Sequence, residues 1–382
     1  MAHLLFLLHS FRHCHQALKK GVVQVNYCRR TANESPSQSE CTLTLFQWQI
    51  EQEARRYDGV APELLSSQDV DGDTCLHIAV AQGRRALAYL LGSKMADCGA
   101  LEVKDRHGQT PLQIAAVANQ HLIVDDLLAH GANINTRDSW GRSPLHVCAA
   151  KGFYLCLQSI WTTFSGRLQM IDTEVFNYEG LTALHLAVLS HNALENEWRR
   201  RPDTCTRDQD QDQYQQRKQM YALCVEALLN MGASCGTADL KSGRTCLHMA
   251  AEEANHQLLT IFLKQPSGLS SLNNKTFSGN TALHVVSSLQ NHPAQLEVLK
   301  MLMRWGADPT ARNLENERPW HLVPEGPPGA SATERKAQRC LKVLKNRTLS
   351  VRQSNVNICL HDADVGRFSE TNHCDVILNE QM

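Results

Sequence analysis

Short apolar stretches alternate with polar, glycine-centred turns along most of the chain, and they do so with a regular period. The pattern Gly-x-Thr/Ser-x-Leu-His, or a degenerate form of it, occurs seven times. The residues at its third position are Thr74, Thr110, Ser143, Thr182, Thr245, Thr281 and Arg318. Their separations are 36, 33, 39, 63, 36 and 37 residues, so all but one lie near a common value. This regularity indicates that one structural unit is repeated along the chain.

The repeat predicts pairs of short antiparallel helices. A period near 33 residues is typical of ankyrin repeats, in which a turn precedes two helices. The glycine suits a turn with positive φ, and the Thr or Ser hydroxyl suits the N-cap of the first helix. Several second helices are predicted to end at a Gly-Ala step, at Gly131, Gly232 and Gly306. We therefore expect a mainly α fold, an ankyrin-repeat solenoid of about seven helix-turn-helix repeats with short hairpin tips, over residues 69–347.

An insert separates the fourth and fifth repeats, because their spacing is 63 residues. The excess falls at about residues 191–220 and includes a run of alternating Asp and Gln. We expect this segment to be polar and mobile unless the flanking helices extend into it. It is either a surface insertion that the fold tolerates, which we favour, or a loop that contacts a partner or acts as a weak nuclear-import signal.

The two ends of the chain differ from the repeats. Residues 46–68 are predicted to form a lead-in helix and a linker, the helix running to about Arg56 and covering the first repeat. Residues 333–347 are predicted to be the second helix of the last repeat. Residues 1–45 and 348–382 lack sustained periodicity, so we predict a flexible N-terminal tail and a disordered C-terminal tail.

Composition narrows the classes of function. The chain has 38 Lys+Arg and 39 Asp+Glu, and this net charge of -1 argues against sequence-independent binding to nucleic acid. No stretch is long and apolar enough to predict a membrane span, and the apolar run Leu4–Leu8 is too short for a secretory signal. The 14 cysteines are scattered without a CxxC pair, which favours reduced thiols in the cytosol or nucleus.

The sequence predicts no catalytic site, metal site or cofactor. Six histidines share one repeat position, where we expect each ring to bond the capping hydroxyl: His77, His146, His185, His248, His284 and His321. The cluster at residues 9–15 lacks a second pair of metal ligands, and Asp69–Asp73 lacks the spacing of a calcium loop. Phosphate-binding and nucleophile-elbow motifs are absent from the sequence. We therefore predict a binding protein and not an enzyme.

The hairpin tips carry the candidate partner-binding residues. Aromatic and arginine side chains at exposed tips are typical of interface hot spots. An aromatic side chain in this position could equally pack on the adjacent hairpin, and the sequence does not decide between these alternatives. The predicted partner-binding residues are Arg106, His107, Trp140, Arg142, Tyr178, Lys241, Arg244, Phe277 and Glu315.

Several strings within residues 46–345 resemble the inhibitor-of-NF-κB (IκB) family of ankyrin proteins. The more specific ones are Gly-Arg-Arg at 83–85, Asn-Gln-His-Leu-Ile-Val at 119–124 and Asn-Leu-Glu-Asn-Glu at 313–317. Together with Phe-Gln-Trp-Gln at 46–49, they are most similar to the atypical nuclear branch of that family. The Asp-Ser-Gly phosphodegron of the cytosolic members does not occur in this sequence, which favours the same branch.

This resemblance implies a regulator of NF-κB-dependent transcription. Its repeats would bind Rel-homology subunits, in particular dimers of the small subunit, and would reach DNA only indirectly through them. It would act in the nucleus, and the resemblance does not exclude the cytoplasm as a second location. It would modulate inflammatory gene expression, and inhibition is the effect we favour. The alternative is a cytosolic ankyrin adaptor for unrelated proteins, which would share the fold and differ in partner and location.

Overall fold

The computed structural model describes residues 43–164, 170–201, 208–290, 292–324 and 342–345. The chain divides into two units, Met1–Thr44 and Leu45–Met382, and the second unit contains all of the repeats. Nearly all of both predicted tails lies outside the described residues. No helix in the described ranges is long and apolar enough to cross a lipid bilayer.

The second unit is built from short helices in antiparallel pairs. In chain order they are α1 (Leu45–Arg56), α2 (Pro62–Leu65), α3 (Cys75–Ala81), α4 (Arg85–Asp97), α5 (Pro111–Val117), α6 (His121–Ala129), α7 (Pro144–Lys151), α8 (Tyr154–Phe164), α9 (Ala183–Arg199), α10 (Asp208–Asn230), α11 (Cys246–Glu252), α12 (His256–Leu263), α13 (Pro266–Ser270), α14 (Ala282–Ser288) and α15 (Gln295–Arg304). A 3-10 helix follows at Pro319–Leu322. The predicted mainly α, ankyrin-repeat fold is confirmed.

Every first helix in repeats 1 to 6 begins directly after the predicted Thr or Ser. In the first repeat, the backbone N–H of Thr74 donates to Nδ1 of His77 at 3.1 Å, and the backbone N–H of His77 donates back to the Thr74 hydroxyl at 3.4 Å. Nε2 of His77 lies 3.1 Å from the carbonyl oxygen of Gln109 in the next repeat. The same ring therefore caps its own helix and joins two repeats, which confirms the structural role predicted for this position.

Apolar side chains from each helix pair form one continuous core. The leucine of the repeat motif is buried in the first six copies, at Leu76, Leu112, Leu145, Leu184, Leu247 and Leu283. Burial of one such side chain stabilises the fold by roughly 2 kcal/mol. The glycines after the second helices have positive φ values, as at Gly131 (96°) and Gly306 (100°), which confirms their predicted role in ending those helices.

The first helical segment of the seventh repeat is shorter than those of the other repeats. It is reduced to the 3-10 turn Pro319–Leu322, and Asn316 takes the positive φ of the missing glycine. Residues 342–345 are helical, and Leu344 is completely buried. The remainder of the helix predicted over residues 333–347 lies outside the described residues.

Most of the insert at residues 191–220 is helical, because α9 and α10 extend into it. Trp198 on α9 stacks on Tyr214 on α10, with ring centroids 4.4 Å apart and an angle of 11° between the planes. The guanidinium of Arg199 lies 3.2 Å from the carboxylate of Glu253 in the fifth repeat. The alternative in which flanking helices extend into the insert is therefore confirmed. Within the insert, residues 202–207 lie outside the described residues.

The lead-in helix α1 is present and packs on α4, as predicted. Glu53 forms an ion pair with Arg84 at 2.9 Å. The ring of Phe46 lies edge-on to Tyr89 with centroids 5.7 Å apart, and the Arg85 guanidinium lies 4.2 Å from the centroid of the Phe46 ring. These contacts cover the side of the first repeat that has no preceding repeat.

Candidate partner-binding surface

An aspartate or asparagine shapes the turn at most hairpin tips. Oδ1 of Asp138 accepts hydrogen bonds from the backbone N–H groups of Trp140 at 2.9 Å and Arg142 at 2.8 Å. Sequence reasoning missed these side chains, although they share a visible signal. They lie five residues before the N-cap position, as Asp69, Asp105, Asp138, Asn177 and Asn313. Such Asx turns preform the tip before any partner binds.

Backbone hydrogen bonds join successive tips. The N–H of Tyr178 donates to the carbonyl of Trp140 at 3.1 Å, and the N–H of Phe277 donates to the carbonyl of Ser242 at 3.0 Å. Equivalent bonds start at Arg106, Ser139, Leu240 and Leu314. Each donor residue is exposed, so these bonds hold the backbone of an exposed side chain at a defined place.

Five large apolar side chains lie exposed along the described tips of repeats 3 to 7, and we call them the tip row. They are Trp140, Tyr178, Leu240, Phe277 and Leu314, with 50%, 74%, 60%, 64% and 77% of their surfaces exposed. A row of this kind, with one large apolar residue per repeat, is typical of a protein interaction surface. Scattered single apolar residues on a surface would not need such an explanation.

The tip-row side chains also pack on the tips before them. A Cβ atom added to Gly141 would lie 2.6 Å from the ring of Tyr178, and one added to Gly243 would lie 2.6 Å from the ring of Phe277. Both glycines have positive φ as well. The rings of Tyr178 and Phe277 therefore each rest on a glycine, while most of their surface stays exposed to solvent. Packing on the adjacent hairpin is confirmed for these two rings, and their role as interface hot spots stays a prediction.

The structure divides the predicted partner-binding residues into two groups. Seven are exposed, and three of these belong to the tip row; the seven are Arg106, His107, Trp140, Tyr178, Lys241, Phe277 and Glu315. Arg142 and Arg244 are only half-exposed. Leu240 and Leu314 are not among the predicted partner-binding residues, although each is a large apolar residue that directly follows the Asp or Asn of its turn.

Arg142 and Arg244 are engaged inside their own repeats. Arg142 lies 2.8 Å from Asp138, and its guanidinium lies 4.6 Å from the centroid of the Trp140 ring. Arg244 lies 3.2 Å from Asp239 and 2.9 Å from Glu252. Burial alone would raise the pKa of Asp239, but hydrogen bonds from Ser242 and Arg244 outweigh it and hold that pKa below its ordinary value. These arginines therefore support the shape of the tips, and direct contact with a partner stays a prediction for them.

The histidines and cysteines behind the tips are buried, as structural residues are. Burial lowers the pKa of five histidines at the shared repeat position: His77, His146, His185, His248 and His284. Burial also raises the pKa of the Cys246 thiol, and it raises that of Cys224 to about 12. In the ranges that the structure covers, no three His, Cys, Asp or Glu side chains are arranged to hold a metal ion. The cluster at residues 9–15 lies outside those ranges.

The fold and the tip row define an ankyrin-repeat protein with an exposed interaction surface. The family described as "Ankyrin repeats (3 copies)" matches residues 43–138 and 217–313. The ankyrin repeat domain of Bcl-3, titled a unique member of the IkappaB protein family, superposes with a TM-score of 0.53 at 26% identity. That match covers 72% of this chain and 99% of the Bcl-3 chain.

Two named relatives identify the family within the ankyrin-repeat proteins. NF-kappa-B inhibitor zeta from Homo sapiens is 48% identical over 309 residues, which cover 81% of this chain and 42% of that protein. NF-kappa-B inhibitor delta from Mus musculus is 41% identical over 269 residues, which cover 70% of this chain and 78% of that protein. The chain therefore belongs to the NF-κB inhibitor (IκB) family of ankyrin-repeat regulators, and not to a family of enzymes.

Two further facts concern the length of the match and the order of similarity. The chain spans less than half the length of the zeta relative. Within the branch, the motif strings alone favour the delta member over zeta, whereas the identities of 41% and 48% place them in the reverse order.

Proposed function

We propose that the chain binds Rel-homology subunits of NF-κB through the tip row and thereby modulates NF-κB-dependent transcription in the nucleus. Inhibition of inflammatory gene expression is the expected effect. Dimers of the small subunit are the expected partners, and contact with DNA occurs only through them. The observation that carries this proposal is the tip row itself, on the ankyrin stack of a chain from the IκB family.

The physical properties of the tip row support tight binding. Large apolar side chains gain roughly 25 cal/mol for each Å² removed from water, so covering exposed aromatic rings supplies substantial binding energy. The Asx turns and the bonds between tips already hold the backbone in place. Little conformational entropy therefore remains to be lost when a partner docks, which favours a low dissociation rate.

Binding of the full chain to purified Rel-homology dimers tests the proposal. We expect Tyr178→Ala and Phe277→Ala each to weaken the affinity about tenfold or more, as truncation of an aromatic hot spot does. Leu122→Ala is the matched control, because Leu122 is 46% exposed on α6 and lies outside the tips. If wild-type protein with intact helical circular dichroism retains no dimer, or if the tip variants bind as well as the control, the proposal fails.

A second experiment addresses location and effect. We expect the tagged chain to enter nuclei and to reduce the output of an NF-κB reporter, and we expect the Tyr178→Ala, Phe277→Ala double variant to lose that effect. Exclusion from nuclei together with capture of unrelated proteins would favour the cytosolic adaptor instead.

A further inference from the structure

Most charged side chains at the tips are already paired. Arg106 lies 3.3 Å from Asp71, and Arg142 lies 2.8 Å from Asp138. Arg244 is held by Asp239, as described above. Among the described residues, three exposed tip charges form no ion pair and no side-chain hydrogen bond: Glu179, Lys241 and Glu315.

Each of these three charges directly follows a member of the tip row. The pairs are Tyr178-Glu179, Leu240-Lys241 and Leu314-Glu315, on repeats 4, 5 and 7. Along the stack, the free charges are thus negative, positive and negative, and each stands beside an exposed apolar side chain. This pattern is not neutralised within the tips, because the nearby Asp239 carboxylate is occupied by Ser242 and Arg244.

The tip of the fifth repeat differs from the others by one additional residue. Its turn closes with a hydrogen bond from Gly243 N–H to the carbonyl of Asp239 at 3.1 Å, four residues apart. In the fourth repeat, the equivalent bond runs from Gly180 to Asn177, three residues apart. The longer turn accommodates Lys241, whose ammonium group is the free cation between Glu179 and Glu315 among the tip residues that the structure describes.

We propose that Lys241 recognises a carboxylate of the partner, while Glu179 and Glu315 face basic side chains of the same partner. This inference rests on the proposed function. It adds the charge pattern that a partner's binding surface must have in order to fit the tip row. Exposed charges at the rim of an apolar surface chiefly raise the association rate and select the register, because they act before the apolar groups are buried. A partner with the opposite order of charges would place like charges against all three residues and would be rejected.

Charge reversal tests this inference with the full chain and a purified Rel-homology dimer. Reversing Lys241 replaces an attraction to a partner carboxylate with a repulsion across water, so the association rate changes about tenfold. We expect Lys241→Glu to slow association by that factor at low ionic strength, and the difference should shrink in concentrated salt. Lys241→Arg should associate nearly as fast as wild type. Lys300→Glu is the matched control, since Lys300 is exposed on α15 and lies outside the tips.

The outcomes separate this inference from the proposed function. If Phe277→Ala weakens binding but Lys241→Glu and Lys300→Glu behave alike, the charge pattern is wrong and the tip row stands. If Lys241→Glu accelerates association, the sign of the partner's surface is the reverse of that proposed here. If the wild-type chain binds no dimer, the proposed function fails and this inference fails with it.

Discussion

Replacing His146 with glutamine should make the repeat stack less sensitive to acid while leaving its stability at neutral pH nearly unchanged. Nδ1 of His146 accepts a hydrogen bond from the backbone N–H of Ser143 at 3.1 Å. Nε2 lies 3.2 Å from the carbonyl oxygen of Leu181, to which it donates. The bonds require the neutral ring, because protonation at Nδ1 would place a hydrogen against the N–H of Ser143.

The second repeat shows that glutamine can fill this position. Oε1 of Gln113 accepts from the N–H of Thr110 at 2.9 Å, and Nε2 donates to the carbonyl of Arg142 at 3.0 Å. Glutamine therefore makes the cap and the bond to the next repeat without a group that titrates near neutral pH. This natural precedent is the reason to choose His146→Gln and not alanine.

The magnitude follows from the pKa of His146. Burial lowers that pKa to about 4 from an ordinary value of 6.5. Because the unfolded chain takes up the proton first, the stability contribution is complete above pH 6.5 and is lost as the pH falls towards 4. The loss amounts to about 2 kcal/mol at pH 5 and approaches about 3 kcal/mol at pH 4. A second buried histidine, His191, has its pKa lowered by burial to about 4 and adds a similar loss in both proteins.

Urea denaturation at pH 7.5 and pH 5.0 measures the difference. We expect the free energy of unfolding of wild type to fall between the two pH values by about 2 kcal/mol more than that of His146→Gln. His107→Gln, which removes an exposed tip histidine, is the control and should fall as wild type does. Equal losses in wild type and His146→Gln would refute the reasoning, because they would show that this ring does not resist protonation in the folded state.

Other substitutions test the remaining structural claims. Asn255→Ala removes a buried N-cap and its bonds to the insert, so we expect the free energy of unfolding to fall by about 3 kcal/mol in urea titrations. Gly141 and Gly131 both have positive φ, but only Gly141 also lies close to Tyr178. We therefore expect Gly141→Ala to lower the melting temperature more than Gly131→Ala does. Arg199→Ala breaks contacts with repeats 5 and 6, and hydrogen exchange should accelerate at the end of α9 while the tips stay unchanged.

The register of the repeats could be predicted from the sequence because local chemistry sets it. The cap at Thr74, the ring at His77 and the glycine turn at Gly72 lie within six residues of one another. Each makes its hydrogen bonds within that stretch or to the equivalent stretch of the next repeat. Seven copies, with all but one of their spacings near a common value, then define the stack, and no long-range contact has to be guessed.

The helices of the insert could not be predicted with the same certainty. The Asp-Gln run has no apolar stripe, and Asp is a weaker helix former than Gln, so the composition favours a solvated loop. Its helix forms beside partners more distant in the sequence: Tyr214 stacks on Trp198, and Lys218 lies 2.5 Å from Glu195 on the facing helix. These contacts become visible only when α9 and α10 are seen side by side.

The composition of the tip row was only partly predictable, for a related reason. Trp140, Tyr178 and Phe277 are recognisable as aromatic residues at turns, whereas Leu240 and Leu314 resemble ordinary core residues. What exposes them is the backbone bond from each of their N–H groups to the preceding tip, which holds the side chain outside the stack. The sequence shows the residue but not this pairing of successive turns.

The side chains that stabilise the stack and those of the proposed binding surface are different members of the same repeat. The buried histidines and leucines connect one repeat to the next, so changing them alters the free energy of unfolding. The tip-row side chains keep half or more of their surface exposed, and the rings of Tyr178 and Phe277 rest on glycines, so removing a ring such as that of Phe277 leaves the core intact. Tip variants should therefore separate loss of binding from loss of folding, which is the condition that makes the proposed function testable. A tip variant that unfolded the chain would show that these side chains belong to the core, and the tip row would then no longer explain binding.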